Sequence, residues 1–192
     1  MPRPTPLHPR TAALCTSYAW KEWAGHLAVC NYDAHSEREY FAFRHDAGLI
    51  DVSPLHKYDV RGKDAAAFLA HVWTRDITRL PPGRVVYGAM CNEDGHCLDD
   101  GTVANLGDGR YRVSSSEPWL SWYGRHSRGF DVSIVDESER IAALSLQGPR
   151  ARAILQPIVE ADLDALRFFS VVAATIAGKP GWVSRTGYTG DL

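Results

Sequence analysis

Residues 84–115 read RVVYGAMCNEDGHCLDDGTVANLGDGRYRVSS, and this stretch decides how the rest of the chain is interpreted. Three runs rich in β-branched and aromatic residues are separated by two short segments, Asp94-Gly95 and Gly107-Asp108-Gly109. Such segments supply the positive backbone φ that tight hairpin turns require. The stretch therefore predicts an antiparallel meander with strands at 84–91, 96–106 and 110–115.

The sequence on either side of the meander predicts one helix and one strand each. Residues 57–61 have the composition of a short strand and residues 63–73 carry apolar side chains at helical spacing. After the meander, residues 118–128 read as a helix with Pro in its first turn, and 130–137 return to a strand pattern. This order predicts an α+β fold in which helices cover one face of an antiparallel sheet.

The two ends of the chain carry weaker patterns. Residues 36–47 predict a helix with a capping-box start, 141–148 a strand and 150–159 a helix. The stretch 168–190 predicts a hairpin that turns at its central glycines. Because the chain stops just after a Gly-rich segment, we expect it to be truncated at its C-terminus.

The overall composition excludes several classes of protein. The chain has 192 residues, a formal charge of −2, 45% hydrophobic and 23% charged residues. These values, with no run of one charge sign and no long apolar segment, predict a globular cytoplasmic protein that binds neither nucleic acid nor membrane. The four cysteines show no spacing typical of a disulfide framework, so we expect reduced thiols.

The adjacent acids Asp99 and Asp100 are the first candidates for chemistry. Side chains alternate across a strand, so the two carboxylates face opposite sides of the sheet and do not share a proton as in an acid dyad. Asp100 shares its face with Leu98 and Ala104, so we expect it to lie inward, with Asp99 toward solvent or a loop. An inward carboxylate is either held by backbone amides or an arginine, or it is functional.

The same stretch gives little support for a metal site. Cys91 and Cys97 are separated by five residues, with His96 beside the second, and this does not fit the usual spacing of zinc ligands. The spacing predicts no bound metal.

Four segments, in order and in register, point to a family. FRHDAGLIDVSPLHKYDVRGKDAAAFL (43–69), VVYGAMCNEDGHCLDDGTVANL (85–106), LSLQGPRARAIL (144–155) and SRTGYTGD (184–191) together resemble the aminomethyltransferase family. That family comprises the T-protein of the glycine cleavage system and its relatives. The resemblance implies tetrahydrofolate as cofactor and transfer of a one-carbon unit, with Asp100 as the catalytic residue.

The resemblance also implies a binding site and partners. It aligns Tyr87, Ser115 and Tyr188 with positions that contact the folate, although Ser115 replaces an asparagine common in the family. It implies a small-molecule methyl or aminomethyl donor, together with a lipoyl carrier protein. The segments DDGTV and SPLHKY depart from the T-protein forms, which favours a T-protein-like paralogue, such as a folate-dependent demethylase, over the T-protein itself.

The domain organisation expected from the family is discontinuous. Residues 1–56 and 137–192 form a folate-binding domain, into which residues 57–136 insert a ferredoxin-like α+β subdomain. Family members are about twice as long, so we expect this chain alone to bind folate weakly. A non-catalytic folate-binding or assembly module of the same fold is the alternative function.

Overall fold

The computed structural model describes residues 1–187, and twelve strands lie within them. In chain order the strands are β1 (Arg3–Pro4), β2 (Ala19–Trp23), β3 (His26–Asn31), β4 (Gly48–Asp51), β5 (His56–Arg61), β6 (Val85–Cys91), β7 (Cys97–Gly107), β8 (Arg110–Ser115), β9 (Ser133–Asp136), β10 (Leu144–Gln147), β11 (Ser170–Ile176) and β12 (Lys179–Arg185).

The helices are short. They are α1 (His8–Leu14), α2 (Glu37–His45), α3 (Ala65–Val72), α4 (Leu120–His126) and α5 (Ala151–Leu155), with 3₁₀ turns at Ile77–Arg79 and Gln156–Ile158. The predicted capping box before α2 is wrong, because Ser36 makes no side-chain cap hydrogen bond. Its partner Glu39 instead accepts a hydrogen bond from the Tyr32 amide at 2.7 Å.

The predicted meander is confirmed as the centre of a five-stranded sheet. The strand order is β6-β7-β8-β5-β9, and every neighbouring pair is antiparallel. The part β7-β8-β5-β9, with α3 after β5 and α4 after β8, has the order and connections of a ferredoxin-like βαββαβ unit, and β6 extends it at one edge. The α+β class with antiparallel sheets is therefore confirmed.

Both helices of this unit cover the same face of the sheet. Alternate residues of β5, β6, β7 and β8 point toward α3 and α4 and are almost completely buried there. Each such aliphatic or aromatic side chain contributes roughly 1.5–3 kcal/mol through burial. The core members with the largest side chains are Tyr58, Phe68, Leu69, Ile77, Met90 and Tyr123.

One end of the opposite face is covered by the β11–β12 hairpin. Val85, Ala104 and Val171 form a small buried cluster there. The Val85 amide donates to the Phe169 carbonyl, and the Val171 amide to the Gly83 carbonyl, each at 2.9 Å. The rest of this face carries the polar side chains described below.

The chain divides into two compact units. Among the described residues, one contains 1–54, 140–157 and 187, and the other contains 55–139 and 158–186. Residues 158–186 group with 55–139 here, whereas the expected organisation places them in the folate-binding domain. The expected boundaries stay a prediction.

Candidate functional site

The candidate site lies on the face of the five-stranded sheet that the helices leave uncovered. Asp100 on β7 pairs with Ala89 on β6. Thr102 on β7 pairs with Tyr87 on β6 and with Ser114 on β8. Directly paired residues of antiparallel strands point to the same side of the sheet. The side chains of Tyr87, Asp100, Thr102 and Ser114 therefore share one face, opposite to the helices.

The expected directions of the two adjacent acids are wrong. Asp99, only 8% exposed, is the one on the helix side, and Asp100 is half-buried on the other face. The reason is that α3 and α4 pack on the face of Met90 and Val103, which is also the face of Asp99.

Asp99, and not Asp100, is the inward carboxylate that is held by hydrogen-bond donors. Its carboxylate accepts hydrogen bonds from the amides of Ser116 and Glu117, at 3.2 and 3.0 Å, and from the Trp119 indole N–H at 2.7 Å. Burial raises the pKa of Asp99, but these hydrogen bonds and that of the Ser116 hydroxyl outweigh it, so the net pKa is lowered. Asp99 thus fixes the segment between β8 and α4.

Asp100 has a single side-chain partner among the described residues. The Tyr87 hydroxyl donates a hydrogen bond to Asp100 Oδ2. Tyr87 is itself held by its backbone, since Arg75 Nε donates to the Tyr87 carbonyl at 2.9 Å. Within residues 1–187 no arginine or lysine forms an ion pair with Asp100.

The arginines of this face are engaged by another acid. Asp59 is buried and lies against Arg61, Arg110 and Arg112, with nitrogen–oxygen distances of 2.5, 2.5 and 3.5 Å. Burial raises the pKa of Asp59, but the hydrogen bonds from Arg61 and Arg110 outweigh it and the pKa is lowered. Arg112 also pairs with Glu137 at 2.7 Å. These arginines therefore pair with Asp59 and Glu137, and within residues 1–187 none of them forms an ion pair with Asp100.

Gly101 explains how the strands approach each other at this point. A Cβ at Gly101 would lie 2.1 Å from the Ser114 carbonyl oxygen. Only glycine allows β7 and β8 to pair this closely between Asp100 and Thr102.

The structure does not bring all predicted site residues together. Ser115 is 2% exposed, faces the helix side with Gly101, and donates to the Glu117 carbonyl at 3.2 Å. Its neighbour Ser114 is the serine on the face of Asp100. Because side chains alternate between the two faces along β8, the sequence could have indicated Ser114 instead of Ser115. Tyr188 lies outside the described residues.

An open concavity of about 530 Å³ lies elsewhere on the same unit. Its lining includes Gly83, Arg84, Leu166, Phe168 and Ser170, and the Arg84 guanidinium donates to the Ser170 hydroxyl at 2.6 Å. Neither Tyr87 nor Asp100 lines it.

Two further observations concern only the part of the chain that the structure describes. No three or more His, Cys, Asp or Glu side chains are grouped so that they could hold a metal ion. None of the described helices has both the length and the apolar character needed to cross a membrane.

Comparison with known proteins gives consistent matches. The model of the family described as GCVT N-terminal domain matches residues 10–192. The aminomethyltransferase of Bacillus subtilis is 41% identical over 160 residues, which cover 81% of this chain and 44% of that protein. The aminomethyltransferase of Herpetosiphon aurantiacus is 38% identical over 157 residues, covering 80% and 44%.

Two solved structures share the fold. The glycine cleavage system aminomethyltransferase T from Bartonella henselae superposes with a TM-score of 0.85 at 23% identity, covering 100% of this chain and 52% of that one. The heterotetrameric sarcosine oxidase from Corynebacterium sp. U-96 gives a TM-score of 0.60 at 18% identity, covering 95% and 81%. The chain spans less than half the length of the curated relatives named above. From the extent of the family match, the chain belongs to the GCVT N-terminal domain family.

Proposed function

We propose that this chain supplies the catalytic carboxylate of a tetrahydrofolate-dependent aminomethyltransferase, and that Asp100 is that carboxylate. The observation that carries the proposal is that, within residues 1–187, Asp100 forms no ion pair. Asp59 is matched by three arginines and Asp99 by hydrogen bonds, whereas among the described residues the side-chain partner of Asp100 is the Tyr87 hydroxyl. A fixed carboxylate without its own cation is free to stabilise positive charge on a substrate.

The relatives support aminomethyl transfer more than demethylation. Proteins named aminomethyltransferase are 38–43% identical to this chain over about four fifths of its length. The likeness to the sarcosine oxidase, at 18% identity, concerns the fold alone. This favours an aminomethyl donor carried on a lipoyl protein, as in the glycine cleavage system, over the T-protein-like paralogue expected from two short motifs.

Each side chain of the site has a role in this chemistry. A one-carbon unit that leaves an amine passes through an iminium-like state with positive charge, which the Asp100 carboxylate stabilises at short range. The Tyr87 hydroxyl fixes the orientation of the carboxylate without neutralising it. Tetrahydrofolate, when bound, supplies the nitrogens that accept the one-carbon unit.

The residues around Asp100 fit a flat ligand with polar edges. Tyr87 is 40% exposed and offers both a ring face and a hydroxyl. Thr102 and Ser114 place two more hydroxyl groups on the same face. Ser115 and Tyr188 stay predicted folate contacts, and for position 115 a role through the backbone of β8 agrees better with its burial.

The test is a chimera in which residues 10–192 replace the matching segment of the Bacillus subtilis aminomethyltransferase. Formation of methylenetetrahydrofolate from an aminomethyl-loaded lipoyl carrier gives kcat, and quenching of tryptophan fluorescence gives the affinity for tetrahydrofolate. We expect Asp100→Asn to lower kcat about 10²- to 10³-fold, because one preorganised charge-stabilising group is lost. Tetrahydrofolate affinity should change little.

Asp108→Asn is the matched control, since Asp108 lies exposed in the turn at the far end of β7. Full turnover by Asp100→Asn would exclude the catalytic role. Folate binding without turnover in the unsubstituted chimera, while the parent enzyme is active, would indicate the non-catalytic binding or assembly module instead. Cytoplasmic localisation is part of the proposal and rests on composition.

A further inference from the structure

We infer that Cys91 and Cys97 form a dithiol site that undergoes reversible oxidation to an intramolecular disulfide. The two residues are direct partners at the hairpin end of β6 and β7, next to a register shift between Met90 and Cys91. Both are free thiols in this structure. The inference rests on the geometry of the hairpin and is independent of the proposed transferase function.

The backbone places the two cysteines within bonding range. The next pair toward the turn is hydrogen-bonded, because the Asn92 amide donates to the His96 carbonyl at 3.0 Å. On the turn side of the register shift, hydrogen-bonded and non-hydrogen-bonded pairs alternate along the antiparallel ladder, and the latter have Cα atoms about 4.5 Å apart. Disulfides span Cα separations of about 4.4–6.8 Å, so the pair needs little backbone movement to be bridged.

The turn between the cysteines is held in a defined conformation. Asn92 Oδ1 accepts hydrogen bonds from the amides of Asp94 and His96, at 3.1 and 2.8 Å. The turn therefore keeps the strand ends in register, so the second thiol meets the first at a high effective concentration. The Cys97 thiol now donates to the Asp99 carbonyl at 3.6 Å, a weak contact that side-chain rotation can break.

Exposure decides which thiol reacts first. Cys97 is exposed to solvent and Cys91 is partly buried. The Cys97 thiolate attacks a small disulfide such as oxidised glutathione, forming a mixed disulfide and releasing one glutathione thiolate. The Cys91 thiolate then attacks the Cys97 sulfur and displaces the second glutathione. The two cysteines lose two electrons and two protons in total, and one oxidised glutathione becomes two reduced ones.

The experiment treats the reduced, folded protein with oxidised glutathione, blocks remaining thiols with an alkylating agent, and analyses tryptic peptides by mass spectrometry. Both cysteines fall on the single peptide 85–110, which has no internal Lys or Arg. We expect this peptide to lose two hydrogens and to escape alkylation at both positions, and dithiothreitol should restore both thiols. Accumulation of glutathione on either cysteine, or full alkylation, would overturn the inference.

One substitution and one unsubstituted cysteine serve as controls. In Cys91→Ser, the Cys97 thiol should retain glutathione, because the resolving thiol is gone. Cys30 is also exposed, and its strand neighbours Val29 and Asn31 pair with Trp20 and Ala19. No cysteine lies opposite Cys30 on β2, so no second thiol is placed there to displace glutathione. Cys30 should therefore carry glutathione in every sample treated with oxidised glutathione. If Cys91→Ser leaves Cys97 unmodified while Cys30 reacts, the proposed order of attack is wrong; circular dichroism confirms that the variants stay folded.

Discussion

Three aspartates of one sheet show how partners decide the role of a carboxylate. Asp59 is buried among arginines, Asp99 is buried among hydrogen-bond donors, and Asp100 is half-buried beside one tyrosine hydroxyl. The first two have lowered pKa values because the folded state stabilises their charged form. Their charges contribute to folding, whereas we propose that the charge of Asp100 acts on a ligand.

The Tyr87 hydroxyl should matter for turnover and little for folding. In the chimera described above, Tyr87→Phe removes the donor to Asp100 and keeps the ring, which is 40% exposed. A hydrogen bond to a charged group contributes about 1.5–3 kcal/mol, so we expect kcat to fall about 10- to 100-fold. Steady-state kinetics test this, and a change confined to KM would show that the hydroxyl contacts the substrate only.

Asp99 should make stability depend on pH in the acidic range. Its folded pKa lies below the unfolded value of about 3.9, so its contribution is complete above that value and is lost as pH falls toward the folded pKa. Asp99→Asn should lower the free energy of unfolding by about 1–3 kcal/mol at neutral pH. The difference from wild type should shrink below about pH 4.

Urea denaturation at several pH values measures this difference. Asp59 is present in both proteins, so its own titration largely cancels in the comparison. Asp108→Asn, in an exposed turn, should show no such effect. A difference between wild type and Asp99→Asn that stays constant with pH would contradict the assignment.

At the scale of the elements, the turn chemistry and strand periodicity of residues 84–115 were enough to predict the meander. They were not enough to predict which face the helices cover. Apolar residues lie on both faces of β7, since Val103 packs against the helices and Ala104 against the β11–β12 hairpin. The direction of Asp100 therefore depended on long-range packing, which period-two alternation does not contain.

Strand β7 also has a position where only glycine fits. In Gly101→Ala the added methyl group would meet the Ser114 carbonyl oxygen at 2.1 Å, so β7 and β8 would have to separate. We expect a loss of about 1–3 kcal/mol in stability from this overpacking. The control is Gly124→Ala on the exposed side of α4, where a Cβ meets no atom within 4 Å and helix propensity should raise stability by up to about 1 kcal/mol. Thermal unfolding of both variants measures the contrast, and equal effects would show that the approach at Gly101 is not restrictive.

At the scale of the whole molecule, the family resemblance predicted the fold, and the extent of the inserted unit stays a prediction. The four motifs fixed the family, and the strand order agrees with a ferredoxin-like unit extended by β6. Residues 158–186, expected in the folate-binding domain, group with 55–139 in the structure. The contacts responsible join residues about 85 positions apart, as between Val85 and Phe169, and no local pattern reveals them.

This grouping predicts that the β11–β12 hairpin opens together with the five-stranded sheet. Val171→Ala removes two carbon atoms from the small cluster with Val85 and Ala104, and we expect it to cost about 1–2 kcal/mol. Native-state hydrogen exchange should then accelerate first at the Val171 and Val85 amides, which link the hairpin to the start of β6. Leu146→Ala in β10 is the control and should act mainly on the β4–β10 pair. If Val171→Ala instead accelerates exchange in β4 and β10 and leaves β6 unchanged, the hairpin belongs energetically with the other unit, as the domain boundaries expected from the sequence require.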